Sequence, residues 1–327
     1  MKLSVVILNW NGKLLLKKFL PSIILYTPNT SIYVVDNSSK DGSIEFLNKK
    51  YKNITIIKLP ENTGYSKAYN HALKLIKSDI YCLINNDVMV TKNWTLPIMK
   101  CFQDNKVDVA QPLVLDFNNK NKFEYAGAAG GFIDKFGFPF CRGRIFNNIE
   151  SNIGQYDKSI DIFWASGACM FVNNKCWKSL RGFDEDFFMH QEEIDFCWRA
   201  KNLNKTVRCI SSSKVYHMGS GSKLSSDDKI YFNHRNSLLT LVKNIDKKNL
   251  PIVLLVRSIF EFIAILFYLF KGEISKSYMI IKGYLKFIFW FNKFYKKRDN
   301  RFSIKYYRRV SIVFDSYILG KNKFSNF

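Results

Sequence analysis

Apolar positions in the first hundred residues alternate between two periods. Leu3 to Leu8 is a continuous apolar, β-branched run closed by Asn9-Trp10-Asn11-Gly12, and a helical pattern follows from Leu14 to Leu25 before a second short run, Ile32 to Val35. Short apolar runs bounded by turn residues predict buried strands, and the 3.6-residue stripe between them predicts an amphipathic helix, so this is a β-α-β unit. Asp36-Asn37-Ser38-Ser39 supplies turn and N-cap chemistry for a helix around Ile44 to Asn48. A strand at Ile54 to Leu59, a helix near Ser66 to Ile76 and a strand at Ile80 to Ile84 continue the alternation. The expected fold class is α/β, a mostly parallel sheet flanked by helices, with Asn9, Asp36 and Asn85-Asn86-Asp87 collected at its carboxyl edge. Open sheets of this class bind ligands at that edge.

From about residue 107 the regularity weakens, and Ala126 to Gly131 and Phe136-Gly137-Phe138 predict hairpins and loops. Order returns at Phe163 to Val172 and in the acidic segment 183–200. The chain therefore divides into a half at 1–105 that carries the sheet edge, a second half of the same domain at 106–245, and a helical extension at 246–327. Pro251 to Phe270 is nearly all apolar, interrupted by Arg257 and Glu261. Twenty residues suffice to cross a bilayer. Their apolar side chains contribute roughly −4 to −8 kcal/mol to insertion and two central charges cost about +5 to +7, so a span at 251–270 is near break-even with a helix lying in the interface or packed on the domain.

The composition, 47% hydrophobic and 16% aromatic over 327 residues, is that of a folded protein and excludes disorder, collagen and a small disulfide scaffold. Of the +23 net charge, +11 lies in Lys271 to Phe327, where 14 basic residues face 3 acidic ones. Lys and Arg alternate there with Phe, Tyr and Trp from Ile281 to Arg309, a mixture that suits an anionic membrane surface better than nucleic acid because it follows a marginal apolar segment. Seven cysteines without a C-x-x-C pair point to free thiols in a reducing cytoplasm. The first apolar run is too short for a signal-peptide core and reads as the first strand of a mature protein.

Asn85-Asn86-Asp87 places oxygen ligands after a buried strand, which suits Mg²⁺ or Mn²⁺ shared with a diphosphate; a plain polar turn has the same composition. In the run from Gly182 to Arg199, Glu192, Glu193 and Asp195 crowd like charges among bulky apolar residues, which raises carboxyl pKa values toward those of a general base. The bland reading is an i,i+4 ion pair of Asp195 with Arg199 and solvated glutamates. Trp164-Ala165-Ser166-Gly167-Ala168 lets a sugar approach the backbone closely, or simply packs. Gly64 and Asn70 flank a helix start open to a nucleotide or merely requiring glycine.

The order of these segments resembles the family 2 inverting nucleotide-sugar glycosyltransferases with the A-type fold, and most nearly their rhamnosyltransferase-like branch. The resemblance runs over roughly residues 1–240, through Ser4 to Gly12, Val34 to Ser43, Glu61 to Asn70, Asn85-Asn86-Asp87, Trp164 to Ala168, the acidic run and Tyr216-His217-Met218-Gly219-Ser220. It implies a nucleotide-sugar donor, dTDP-rhamnose or a UDP-sugar, held by Asn9, Trp10, Asn11, Asp36, Ser38, Gly64, Lys67, Asn70, Asn85 and Asn86. Asp87 and His217 would hold the divalent metal, and Trp164, Ser166 and Gly167 would meet the acceptor; by composition Gly219-Ser220-Gly221 is either a loop closing over the donor or a solvated linker. Glu193, beside Glu192 and Asp195, stands where the family has its base. This chain carries Asn85 where the family often has Asp, and Glu193 where it usually has Asp. The implied product is a surface polysaccharide or a lipid-linked glycan made at the inner face of the cell membrane by a peripheral enzyme, with a dimer through the C-terminal helices left open. The competing readings are a nucleotidyltransferase, disfavoured by a first loop with too few glycines, and a non-catalytic membrane or nucleic-acid binding protein.

Overall fold

The computed structural model describes residues 1–219, 225–299 and 305–327; Ser220 and Gly221 of the expected closing loop lie outside the described residues. Strands and helices alternate as the periodicity predicts: β1 (Leu3–Asn9), α1 (Lys13–Tyr26), β2 (Ser31–Asp36), α2 (Ser43–Lys50), β3 (Thr55–Lys58), α3 (Gly64–Leu75) and β4 (Ile80–Asn85). Then follow β5 (Val88–Val90), α4 (Leu96–Gln103) and β6 (Val109–Asp116). A small antiparallel sheet of β7 (Gly131–Ile133), β8 (Pro139–Cys141), β9 (Arg144–Ile145) and β10 (Asn148–Ile149) occupies the segment where regularity weakens. β11 (Ile160–Asp161), β12 (Cys169–Asn173), α5 (Asn174–Ser179), α6 (Glu192–Asn202) and β13 (Val207–His217) complete the domain, and α7 (Ser226–Asn244), α8 (Leu250–Phe270), α9 (Ile274–Tyr295) and α10 (Ile312–Tyr317) follow.

The main sheet runs β11-β13-β6-β12-β4-β1-β2-β3, with β5 paired to β13. Its β4-β1-β2-β3 half is wholly parallel. Val5, Val6 and Ile7 of β1 are all fully buried because α1 covers one face, with Leu16, Phe19, Leu20 and Ile23 at helical spacing, and α3 covers the other. The chain moves outward from β1 to β3 and then returns to place β4 on the opposite side of β1, which opens a crevice at the carboxyl ends of β1 and β4. β12 enters antiparallel between β4 and β6, Cys169 opposite Ile84, and so delivers Trp164 to Ala168 to the same edge. β5 pairs antiparallel with β13 in a register that sets Val88 opposite His217, bringing Asp87 and His217 together across 130 positions of sequence.

The C-terminal segment is not a free-standing extension. α8 buries Leu250, Val253, Arg257 and Glu261 along one stripe. The two charges counted against membrane insertion thus face the protein: Arg257 Nε donates to Glu261 Oε1 at 2.9 Å and Nη2 to Ser237 Oγ at 2.8 Å, and His234 of α7 pairs with Glu261. The last residues return to the small sheet, where Ile312 N donates to Asp134 Oδ2 at 2.9 Å and the Phe324 ring lies 5.3 Å from that of Phe132. All seven cysteines are free.

Asp195, one of the three carboxylates grouped by sequence, faces away from the crevice. Its Oδ2 accepts from Arg199 Nε at 2.8 Å and from Lys243 Nζ at 3.0 Å, and its Oδ1 from Asn244 Nδ2 at 2.8 Å. Burial alone would raise its pKa, but Arg199 and Lys243 more than offset that and hold the carboxyl below its ordinary value. The i,i+4 pair was therefore the correct reading for Asp195, which anchors α6 to α7. Removing one partner of such a cluster strands buried charge, so Asp195→Ala is expected to cost about 3–5 kcal/mol in urea unfolding. Asp104→Ala, which breaks an exposed pair with Lys106, should cost less than about 1 kcal/mol.

Candidate functional site

At the crevice the side chains that end β1, β2 and β4 bond one another. Asn9 Nδ2 donates to Asp36 Oδ1 at 3.0 Å and to Ser39 Oγ at 3.2 Å, while its Oδ1 accepts from Asn86 Nδ2 at 2.8 Å. Asp36 Oδ2 accepts from Ser39 N at 2.9 Å. Asp36 is fully buried and backs this wall rather than lining it. Asn11, in the left-handed region with φ 49°, accepts from Lys40 N and donates its own N–H to Ser39 Oγ. Asn37, which sequence reasoning passed over, donates to Asn62 Oδ1 at 2.8 Å and accepts from Thr63 N at 2.9 Å.

A cavity of about 980 Å³ opens in front of these residues. Trp10, Gly64, Asn85 and Asn86 line it, as do Trp164, Ser166, Gly167, Glu192, Glu193 and His217. Six of the ten expected donor residues do not line it: Asn9, Asn11 and Asp36 stand behind the wall, and Lys67, Ser38 and Asn70 point elsewhere. Lys67 is exposed on the outer side of α3. Ser38 turns away and donates to Pro60 O at 3.3 Å. Asn70 is spent on structure, bonding both backbone groups of Phe183 at 2.9 Å and Glu185 Oε1 at 3.0 Å.

Asp87 Oδ1 stands 3.1 Å from His217 Nε2, and His217 Nδ1 stands 3.2 Å from Glu124 Oε1. Burial works against a charged imidazole, but the carboxylates on both sides raise its pKa to about 10. The donor set fits a divalent cation, since neighbouring ligands of an octahedral ion at about 2.1 Å lie about 3 Å apart, the separation found here. Glu124 would then keep the proton on Nδ1 and leave Nε2 free to bind. Among the described residues no group of three or more His, Cys, Asp and Glu forms a metal-holding set, so the remaining ligands would come from substrate and water.

Glu192 and Glu193 open α6, and each has a carboxyl oxygen that is buried without a hydrogen-bond partner. Burial pushes the Glu193 carboxyl up to about 7. Burial, with the Glu193 charge beside it, pushes Glu192 well above its ordinary value. The backbone leading to them is contorted, with Phe188, His190 and Gln191 at φ 57°, 67° and 73°. Asn236 of α7, fully buried, holds it: Nδ2 lies 3.1, 2.9 and 2.8 Å from the carbonyls of Phe187, Met189 and His190. On the other side Tyr65 N donates to Phe188 O at 2.6 Å, an approach that a Cβ at Gly64 would block, because it would fall 2.5 Å from that oxygen. Tyr65 Oη donates to Gly167 O at 2.7 Å, which joins the small-residue segment to the same wall. Glu124, Tyr65 and Asn236 carry no signal in the sequence, because each acquires its role only from a partner far along the chain.

Comparison with known proteins agrees with this fold. The sequence profile of Glycosyl transferase family 2 matches residues 4–173, just over half of the chain. A low-salt glycan biosynthesis hexosyltransferase of Haloferax volcanii is 23% identical over 244 residues, which cover 72% of this chain and 74% of that one. An N-acetylglucosaminyl-diphospho-decaprenol L-rhamnosyltransferase of Mycobacterium tuberculosis is 23% identical over 228 residues, 62% of this chain and 71% of that one. Among solved structures, a mannosyltransferase from Pyrobaculum calidifontis in complex with GDP-Man and Mn²⁺ superposes with a TM-score of 0.54 at 13% identity, covering 88% and 87% of the two chains.

The raised Glu193 carboxyl has a consequence for stability. The folded chain keeps a proton there that the unfolded chain releases near pH 4.5, so this contribution is full below about pH 4.5 and is lost as pH rises through about 7. The groups facing Glu193 are Glu192, Tyr65 and Cys197, none of them cationic. In urea unfolding Glu193→Gln should therefore be more stable than the parent by ~1–3 kcal/mol at pH 8 and equal to it at pH 4. A variant no more stable at pH 8 would show that the carboxyl is solvated.

Proposed function

The chain belongs to glycosyl transferase family 2 and has its A-type α/β fold, and from that premise we propose that it is a metal-dependent, inverting hexosyl- or rhamnosyltransferase. It would take a nucleotide-diphosphate sugar, dTDP-rhamnose or a UDP-sugar, and pass the sugar to a hydroxyl of a glycan or lipid-linked acceptor. The observation that carries this is the Glu193 carboxyl, its Oε2 buried without a partner and its pKa raised to about 7, in the one cavity wall that also holds Asn86 and His217. Inversion needs a base that removes the acceptor proton as the sugar–phosphate bond breaks, and a carboxyl near neutrality suits that task. Residues 1–105 would hold the nucleotide through Trp10, Asn37, Asn85 and Asn86, with Asn9, Asn11 and Asp36 ordering them from behind. Asp87 and His217 would hold Mg²⁺ or Mn²⁺, which supplies positive charge to the departing diphosphate. Trp164, Ser166 and Gly167, in the segment 106–245, would meet the acceptor.

The same reading places the enzyme on the cytoplasmic face of a membrane. α8 is the one described helix long and apolar enough to cross a bilayer, yet its two charges are locked against α7. Its outer face exposes Ile252, Leu255, Ile259, Phe262, Phe267 and Phe270, and α9 exposes Tyr278, Ile281, Leu285 and Ile288 among Lys276, Lys282 and Lys286. An apolar face edged with lysines suits a helical pair lying in an anionic interface rather than a spanning helix.

Calorimetry of UDP-, dTDP- and GDP-sugars with and without Mg²⁺ or Mn²⁺ tests the donor site; binding of one nucleotide class is expected to need the metal and to be lost in His217→Ala. Glu193→Gln is expected to keep that binding and to lose transfer by at least about 10²-fold. A variant turning over at more than a tenth of the parent rate would remove Glu193 from the role of base.

Flotation with liposomes tests the surface. The full chain should rise with vesicles containing anionic lipid at low salt, while Leu255→Glu with Leu285→Glu should stay below. A parent that stays below and sediments as a dimer would assign the apolar face to a second copy of the chain.

A further inference from the structure

Two arginines stand close together in the small sheet, and the structure treats them differently. Arg142 and Arg144 are both 5% exposed. Arg142 is consumed by the fold, donating to Ala129 O and Lys158 O at 3.0 Å and to Ser211 Oγ at 3.2 Å, and it does not line the cavity. Arg144 lines the cavity and has far less. Nη1 donates to Phe146 O at 3.3 Å, Nη2 meets only the Cys141 sulfur at 3.5 Å, and Nε has no acceptor. Its guanidinium lies 4.3 Å from the centre of the Tyr125 ring, which fixes its plane without neutralising it.

No carboxylate hydrogen-bonds to it, although Glu124 attracts it through space. Glu124, the neighbouring acid, is committed at both oxygens, Oε1 to His217 and Oε2 to Ala126 N at 2.6 Å. A guanidinium stays charged at any physiological pH, and one that is buried with unfilled N–H groups favours an anion that can accept from them. The planar fork matches two phosphate oxygens, and Glu124 ties the position of Arg144 to the Asp87–His217 pair.

We infer that Arg144 is the anion-binding residue of the transfer cavity, taking a diphosphate oxygen through its open Nε and Nη groups. This rests on the glycosyltransferase reading above. The diphosphate belongs either to the nucleotide donor or to a lipid-diphosphate acceptor, and the chemistry of recognition is the same for both.

The test titrates the full chain, at fixed Mg²⁺, with UDP, dTDP and GDP, with the matching nucleosides, and with inorganic diphosphate before and after saturation by nucleotide. Arg144→Gln is expected to weaken diphosphate binding about 10- to 100-fold and leave nucleoside binding unchanged. If the loss appears with nucleoside diphosphates, the donor is the source. If those bind normally and only inorganic diphosphate on the nucleotide-saturated protein is lost, the source is the acceptor. Thermal unfolding without ligand checks the fold, and Arg144→Lys, which keeps the charge and loses the fork, should fall between parent and Gln variant. Affinities of either folded variant within threefold of the parent for every diphosphate would overturn the inference. A parent that binds inorganic diphosphate through Arg144 but no nucleotide would uphold Arg144 and sink the donor reading. A parent that binds neither would sink both.

Discussion

The candidate site depends on one buried carboxamide. Three non-glycine residues ahead of Glu192 and Glu193, Phe188, His190 and Gln191, have positive φ, a strain of about 1–3 kcal/mol each, and the carbonyls of Phe187, Met189 and His190 converge on one side of that turn. Asn236 meets that cost by offering its two N–H bonds to three carbonyls, and Arg235 adds contacts to Asp186 O and Phe187 O at 3.5 and 3.4 Å. Both come from α7, which lies beyond the residues matched by the family profile. The helices after residue 225 are therefore part of what shapes the cavity, and a chain cut before them would leave the turn unsupported.

The same helices divide the labour among the acids. Asp184 is held by Lys243 at 2.8 Å and Lys297 at 2.5 Å, Asp186 by Lys293 and Lys297 at 2.6 Å, and Asp195 by Arg199 and Lys243. Each of these carboxylates is matched by a cation, and each fastens the acidic segment to α6, α7 or the end of α9. Glu192 and Glu193 meet no cation in the same stretch, so burial outweighs the one backbone hydrogen bond that opposes it at each. Which carboxyls are raised in this run follows first from which acids the fold buries without a cation, and second from the crowding of Glu192 by Glu193.

Much of the α/β half was legible because it is written in local periodicity: the strands of β1, β2 and β4 and the stripes of α1 and α3 fall where the apolar runs predict them. Polar residues that end parallel strands must lie on one edge, so Asn9, Asp36 and Asn86 could be grouped before any coordinates. Contacts set by antiparallel register could not be read this way. Asp87 meets His217 only because a three-residue strand, β5, pairs with the end of β13, and nothing near either residue announces that pairing. Asn70 and Asp195 are bonded to structure rather than to the cavity for a related reason. A polar side chain near the edge can turn toward ligand or toward structure, and the partners that decide it, Phe183 and Lys243, lie 113 and 48 residues away.

α8 carries the sharpest contrast between composition and placement. As a sequence it is an apolar run flawed by two charges; as a folded helix it is two-sided, with Arg257 and Glu261 inward and large apolar side chains outward. Arg257 stacks 3.7 Å from the Phe138 ring and lines the cavity, so one helix forms both the cavity wall and the face assigned above to lipid. A helix with its side chains is about 10–12 Å across. On the proposed docking, the cavity lies one helix diameter from the hydrocarbon boundary, close enough for an acceptor to keep its lipid tail in the membrane while its glycan reaches Glu193. On that docking, the ion pair that weakens α8 as a transmembrane segment would also keep it at the surface, because a spanning helix would have to tear Arg257 and Glu261 from His234 and Ser237.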